Sequence, residues 1–157
     1  MTTRWQTWGV AALVLVGCET SGPSGTMCTL IGCIDGLSVD FVRGAWPDGS
    51  YSVRVRQDGK APTFCTAKLP FEPSGSSGKC DAIGVALGSS GQMLPANQQA
   101  LTGLRISGTP AHVEIEVSRN GTVELSTAVT PSYVTTNPNG PDCGPTCTQA
   151  SVKVTIP

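Results

Sequence analysis

Cysteine is the residue with most chemistry to offer in this chain: there are 7, at positions 18, 28, 33, 65, 80, 143 and 147, beside a single histidine, His112. A thiol can act as nucleophile, metal ligand, redox partner or half of a disulfide, and spacing and compartment select among these. Cys28-x4-Cys33 taken with Cys143-x3-Cys147 has the form of a four-thiolate zinc site. His112 precedes Glu114 and Glu116 on one face of a strand pattern, an imidazole and two carboxylates that could bind a metal or join a triad. That face is ordinarily the solvated one, and no serine stands in a Gly-x-Ser-x-Gly elbow. The expectation is therefore no catalytic residue, no metal and no cofactor.

The odd number of cysteines needs a reason in an exported protein, and the N-terminus supplies one. Arg4 gives a short positive region, Trp8 to Val16 an apolar stretch, and Leu15-Val16-Gly17-Cys18 the end of it. About nine apolar residues are too few to cross a bilayer as a helix, so the segment reads as a cleaved signal peptide. Leu15, Val16, Gly17 and Cys18 resemble the lipobox of bacterial lipoproteins at every position. That resemblance implies that Cys18 is lipidated and becomes the first residue of a protein anchored in the cell envelope, facing the periplasm or the cell surface.

The remaining six, Cys28, Cys33, Cys65, Cys80, Cys143 and Cys147, form an even set in a chain read as exported to an oxidising compartment, so three disulfides are expected. Disulfides also displace the zinc reading there. Cys143-Gly144-Pro145-Thr146-Cys147 resembles the Cys-Gly-Pro-Cys of thioredoxins, but it has one residue too many and precedes a strand, not a helix whose N-terminus would lower a thiol pKa. Cys65 and Cys80 flank a Ser/Gly loop and look like a local pair. The other four could close two tight loops, Cys28 to Cys33 and Cys143 to Cys147, or cross-link the two ends of the domain. At least one cross-link is favoured, because joining distant residues restricts the unfolded chain more.

The elements that must carry these residues are strands. Period-two alternation runs through Leu37, Val39 and Phe41; Tyr51, Val53 and Val55; Cys65, Ala67 and Leu69; Leu104 and Ile106; Val113, Ile115 and Val117; and Val152, Val154 and Ile156. Asn120-Gly121 predicts a tight hairpin turn between Val113–Val117 and a strand with Val123, Leu125, Thr127 and Val129 on its inner face. The same turn accounts for the Asn120-Gly121-Thr122 sequon without glycosylation. No window has a helical period, and Gly88 to Ala100 is the longest segment without strand signals, read as an irregular connection. Trp46 and Tyr133 fall in turns, where an aromatic can stack on a sugar but more often caps the end of a core.

Seven or eight short strands with Gly and Pro between them read as a sandwich. Residues 1–17 are the signal peptide, 18–27 the lipidated cysteine and a polar tether reaching about 15 Å, and 28–157 a single all-β domain, a disulfide-bonded β-sandwich. The segment Trp46-Pro47-Asp48-Gly49-Ser50-Tyr51-Ser52-Val53-Arg54-Val55-Arg56-Gln57-Asp58-Gly59 resembles the turn and strand recurrent in immunoglobulin-like and transthyretin-like extracellular modules. The order of lipobox, early cysteine pair, sandwich strands and Pro138-Asn139-Gly140-x-x-Cys143 before a last strand is similar to lipoproteins of uncharacterised function. Net charge is -1 and charged residues are 13%, so no basic face is offered to nucleic acid. The functional expectation is a non-enzymatic envelope module, held to the membrane by its lipid and contacting an envelope protein or polysaccharide; a purely structural accessory role is the second reading, a hydrolase or redox enzyme the third.

Overall fold

The computed structural model describes residues 28, 31–72 and 78–157. The proposed signal peptide, Cys18 and the tether lie outside the described residues. Among the described residues ten strands follow in order: β1 (Gly36–Val42), β2 (Gly49–Gln57), β3 (Thr63–Leu69), β4 (Lys79–Cys80), β5 (Val85–Ser90), β6 (Ala100–Ser107), β7 (Val113–Arg119), β8 (Thr122–Val129), β9 (Val134–Thr136) and β10 (Cys147–Thr155). A single 3-10 turn, Ala96–Gln98, is the only helical element among the described residues. The fold is all-β, in two five-stranded sheets ordered β5-β6-β1-β10-β9 and β4-β3-β2-β7-β8. One core joins them: Leu37, Val39 and Phe41 of β1, Leu104 and Ile106 of β6 and Val154 of β10 meet Tyr51, Val53 and Val55 of β2 and Val113, Ile115 and Val117 of β7. Alternation explains the arrangement, since each strand sends every second side chain into the shared layer, which water then leaves.

Three disulfides hold the described residues together, as expected: Cys28–Cys143, Cys33–Cys147 and Cys65–Cys80. The first two join the N-terminal approach to β1 with the approach to β10 and its first residue. β1 and β10 run parallel over seven registered pairs, from Gly36↔Gln149 to Val42↔Thr155, while every other strand pairing is antiparallel.

Three local features depart from simple alternation. Gly88 to Ala100 is not wholly irregular: β5 continues to Ser90, and Gln99, 7% exposed, donates from Nε2 to the Leu94 carbonyl and accepts the Phe71 N–H, which pins the remaining loop. Its polar composition hid an edge strand with few large side chains. The pairing of β5 with β6 slips at Gly88/Ser89, and Gly103 takes φ +146 there, its missing Cβ leaving room for the Val39 carbonyl, which a methyl would approach to 1.9 Å. In the β7–β8 hairpin, turned by Asn120 (φ 50) and Gly121 (φ 81), Val117 faces Leu125 and Ser118 faces Val123. Glu124 is skipped. The bulge turns Val123 outward to 52% exposure, against the inward place that alternation assigns it.

Candidate functional site

The groups singled out by chemistry in the sequence are mostly engaged elsewhere. Glu114 and Glu116 face Arg56 and Arg54 across the β2–β7 pairing, each pair with 3.3 Å between guanidinium and carboxylate. His112 precedes β7, its backbone N–H donating to Asp58 Oδ1 at 2.9 Å and its carbonyl accepting from the Asp58 N–H at 2.9 Å, so it serves to tie two turns together. Among the described residues no three of His, Cys, Asp and Glu gather as a metal site. Cys143 and Cys147 bond across to Cys28 and Cys33, not to each other.

The turn aromatics are structural. Trp46 is buried against Phe41, 6.3 Å between ring centroids, and Tyr51, 5.2 Å away edge-on, with the Arg43 guanidinium 5.2 Å over its ring. Arg43 is also bonded to the Glu124 carboxylate, which takes a second hydrogen bond from Arg119 Nε at 2.7 Å. The bulge aims Glu124 into this cluster, and the hydrogen bond from Arg43, with that from Arg119, holds its carboxyl below the usual glutamate range. The Tyr51 hydroxyl donates to the Pro47 carbonyl at 2.6 Å, and burial raises its phenol pKa. Tyr133 is partly buried against the core and donates to the Pro110 carbonyl at 2.9 Å.

A groove of about 640 Å³ lies on the outer face of the β5-β6-β1-β10-β9 sheet, along β1 between β6 and β10. Its floor is low because β1 presents Gly36 and Ser38 there, while Arg105 and Ser107 of β6 and Gln149 and Ser151 of β10 stand along the sides. Ile34 and Asp35 close one end, fixed because Asp35 accepts the Thr148 N–H at 2.7 Å and Gln149 Nε2 donates to the Ile34 carbonyl at 2.9 Å. At the other end the Asp40 carboxylate accepts from Ser38 Oγ at 3.1 Å and Ser151 Oγ at 3.2 Å. Arg105 is exposed and forms no ion pair among the described residues.

A carboxylate on β1 pre-oriented by two hydroxyls, and a guanidinium on the adjacent strand β6 in register with Ser38, can take hydrogen bonds from and give them to a polar chain lying along β1. No histidine is among the lining residues of the groove, and both of these serine hydroxyls donate to the one Asp40 carboxylate. A second depression, on the outer face of the other sheet, is lined by Ser52, Thr66, Lys68, Lys79 and Ser118. Lys68 there is 69% exposed and pairs loosely with Glu72 at 3.7 Å, so that ammonium is not held in place.

Alternation puts Ser38, Asp40, Arg105 and Ser107 on the outer side of their strands, which is where they are, with Ser38 only 9% exposed on the groove floor, but it does not show that β1 and β6 bring them side by side. The available signal was the size of the outward residues on β1: glycine and serine where an exposed strand face commonly carries long polar side chains. No protein-family model matches the chain, and no curated protein and no solved structure matches it.

Proposed function

We propose that this protein is a non-enzymatic lipoprotein of a bacterial cell envelope, anchored through Cys18, whose immunoglobulin-like or transthyretin-like β-sandwich binds a polar envelope component in the groove along β1. The groove carries the reading: Asp40, held by Ser38 and Ser151, and Arg105, which forms no ion pair among the described residues, stand in one concavity of about 640 Å³. A hydroxyl- and carboxylate-bearing polysaccharide matches that donor and acceptor set. The disulfides are compatible with an extracytoplasmic address. The arginine partners of Glu114 and Glu116, and the disulfide bonding of six cysteines, weigh against catalysis at the sites chemistry would first suggest.

Two experiments test this. Co-sedimentation of the chain with isolated envelope polysaccharide should be weakened about tenfold or more by Asp40→Ala or Arg105→Ala and left unchanged by Lys68→Ala on the opposite sheet. Equal binding by all four proteins, or crosslinks from envelopes that map to the other sheet, would move the site away from the groove. For the anchor, Cys18→Ser should abolish lipid labelling and leave precursor or soluble protein; unchanged membrane attachment would remove the lipoprotein reading.

A further inference from the structure

Cys28 precedes β1 and Cys147 opens β10, yet the two points are one short covalent path apart. From Cys28 the chain can be followed through its disulfide to Cys143, along four residues to Cys147 and into β10, with Cys33–Cys147 as a second link in parallel. Everything between, a sequence separation of 115 residues that includes nine of the ten strands, hangs beside this path and not in it.

We infer that the paired disulfides make β10 a rod that carries tension, so that traction between the N-terminal side of Cys28 and the chain beyond β10 bypasses the fold. Without the disulfides, tension would enter at Gly36 and leave at Thr155, opposite ends of two parallel neighbours, and would shear the seven β1–β10 pairs. With them, tension enters β10 at Cys147 and leaves at Thr155, along a strand of nine residues that is already extended. Stretching an extended strand along its own axis breaks no register. β10 is also an inner strand, hydrogen-bonded to β1 on one side and β9 on the other. The redundancy is functional in the same sense: either disulfide alone keeps the bypass closed. Where the chain is pulled between a membrane anchor and its C-terminal end, a meaning that rests on the lipoprotein reading, β1 and its groove lie outside the path of tension.

The test is single-molecule extension of the chain carrying Cys18→Ser, with handles on the N-terminal side of Cys28 and after Pro157, which needs no lipid and no ligand. The oxidised protein should show no unfolding step up to forces that break covalent handles. Adding a thiol reductant should unlock a step of roughly 400 Å, the 115 sequestered residues at about 3.4 Å each. Cys28→Ala with Cys143→Ala, and separately Cys33→Ala with Cys147→Ala, should each still lack the step while oxidised. A step of hundreds of ångströms in the oxidised protein, or in either single-pair variant before reduction, would overturn the inference, as would its absence after full reduction. Loss of groove binding would leave these outcomes untouched, so the two readings fail separately.

Discussion

The crossed order of the two long disulfides makes their stabilities depend on each other, and the size of that dependence can be worked out from the connectivity. In the chain-entropy view a crosslink stabilises by the closure entropy it removes from the unfolded chain, growing with the logarithm of the loop. Alone, Cys33–Cys147 closes a loop of 114 residues and is worth about 5 kcal/mol. Once it exists, Cys28–Cys143 closes only the short ring from 28 to 33, across the bridge, and from 147 back to 143, about ten residues, worth about 3 kcal/mol. The roles exchange if the order is reversed. Replacing either pair by alanine should therefore cost about 3 kcal/mol, and replacing both about 7 to 8 kcal/mol, roughly 2 kcal/mol beyond the sum of the single-pair losses. Alanine is the right substitute because Cys143 and Cys147 are 4% and 3% exposed, and a buried serine hydroxyl would add its own cost. Equilibrium unfolding in guanidinium chloride of the Cys18→Ser background and the three variants reads these differences directly. Single-pair losses near 5 kcal/mol that simply add would refute the reasoning, because they would mean that the two bridges restrain the unfolded chain independently.

Gly103→Ala should destabilise by about 3 to 5 kcal/mol, since the methyl would meet the Val39 carbonyl at 1.9 Å in a backbone conformation of φ +146; a loss under about 1 kcal/mol in thermal unfolding would mean the bulge is not needed. Glu124→Gln should cost about 2 kcal/mol at neutral pH, less than a fully buried pair because Arg119 keeps 33% of its exposure. Because Glu124 titrates lower in the folded protein than unfolded, the carboxylate's contribution is present above the usual glutamate range and is lost as pH falls through its folded value, so the variant should show a flatter acid side of its stability profile; parallel profiles for both proteins would contradict that.

Alternation was enough to place six strands and their inner faces because a half-buried strand writes its environment into every second residue. It failed where the environment changes within a strand. At Val123 the sequence continues the apolar pattern, yet Asn120-Gly121 sets a two-residue turn that leaves Glu124 without a β7 partner, and the carboxylate is then drawn to Arg43 and Arg119. Arg43 lies 81 residues away in sequence, so no local window contains the reason for the bulge. Strands β4, β5 and β9 were missed for the opposite cause: they sit at sheet edges or are two to six residues long, and one neighbour's hydrogen bonds hold them with little apolar burial to record.

The groove was hidden by the same property that makes it a groove. A binding face built on the outer side of a sheet must look, residue by residue, like ordinary solvated surface, since its polar groups alternate with core side chains as any exposed face does. What distinguishes it is lateral: Ser38, Arg105 and Ser151 come from strands that are neighbours only through a parallel β1–β10 pairing and an antiparallel β1–β6 pairing. The parallel pairing joins the two ends of the domain, which Cys28–Cys143 and Cys33–Cys147 bring together. The disulfides thus do more than restrain the unfolded chain. By clamping the approaches to β1 and β10 they fix Ile34 and Asp35 over one end of the groove and set the register that puts Ser151 beside Ser38 and Asp40. Removing both bridges under conditions where the fold survives should therefore loosen the groove before the core, with amide exchange rising first at Thr148 and in the Ser151 segment of β10 while Val53 and Val117 stay protected; exchange that rises uniformly across both sheets would separate the clamp from the site.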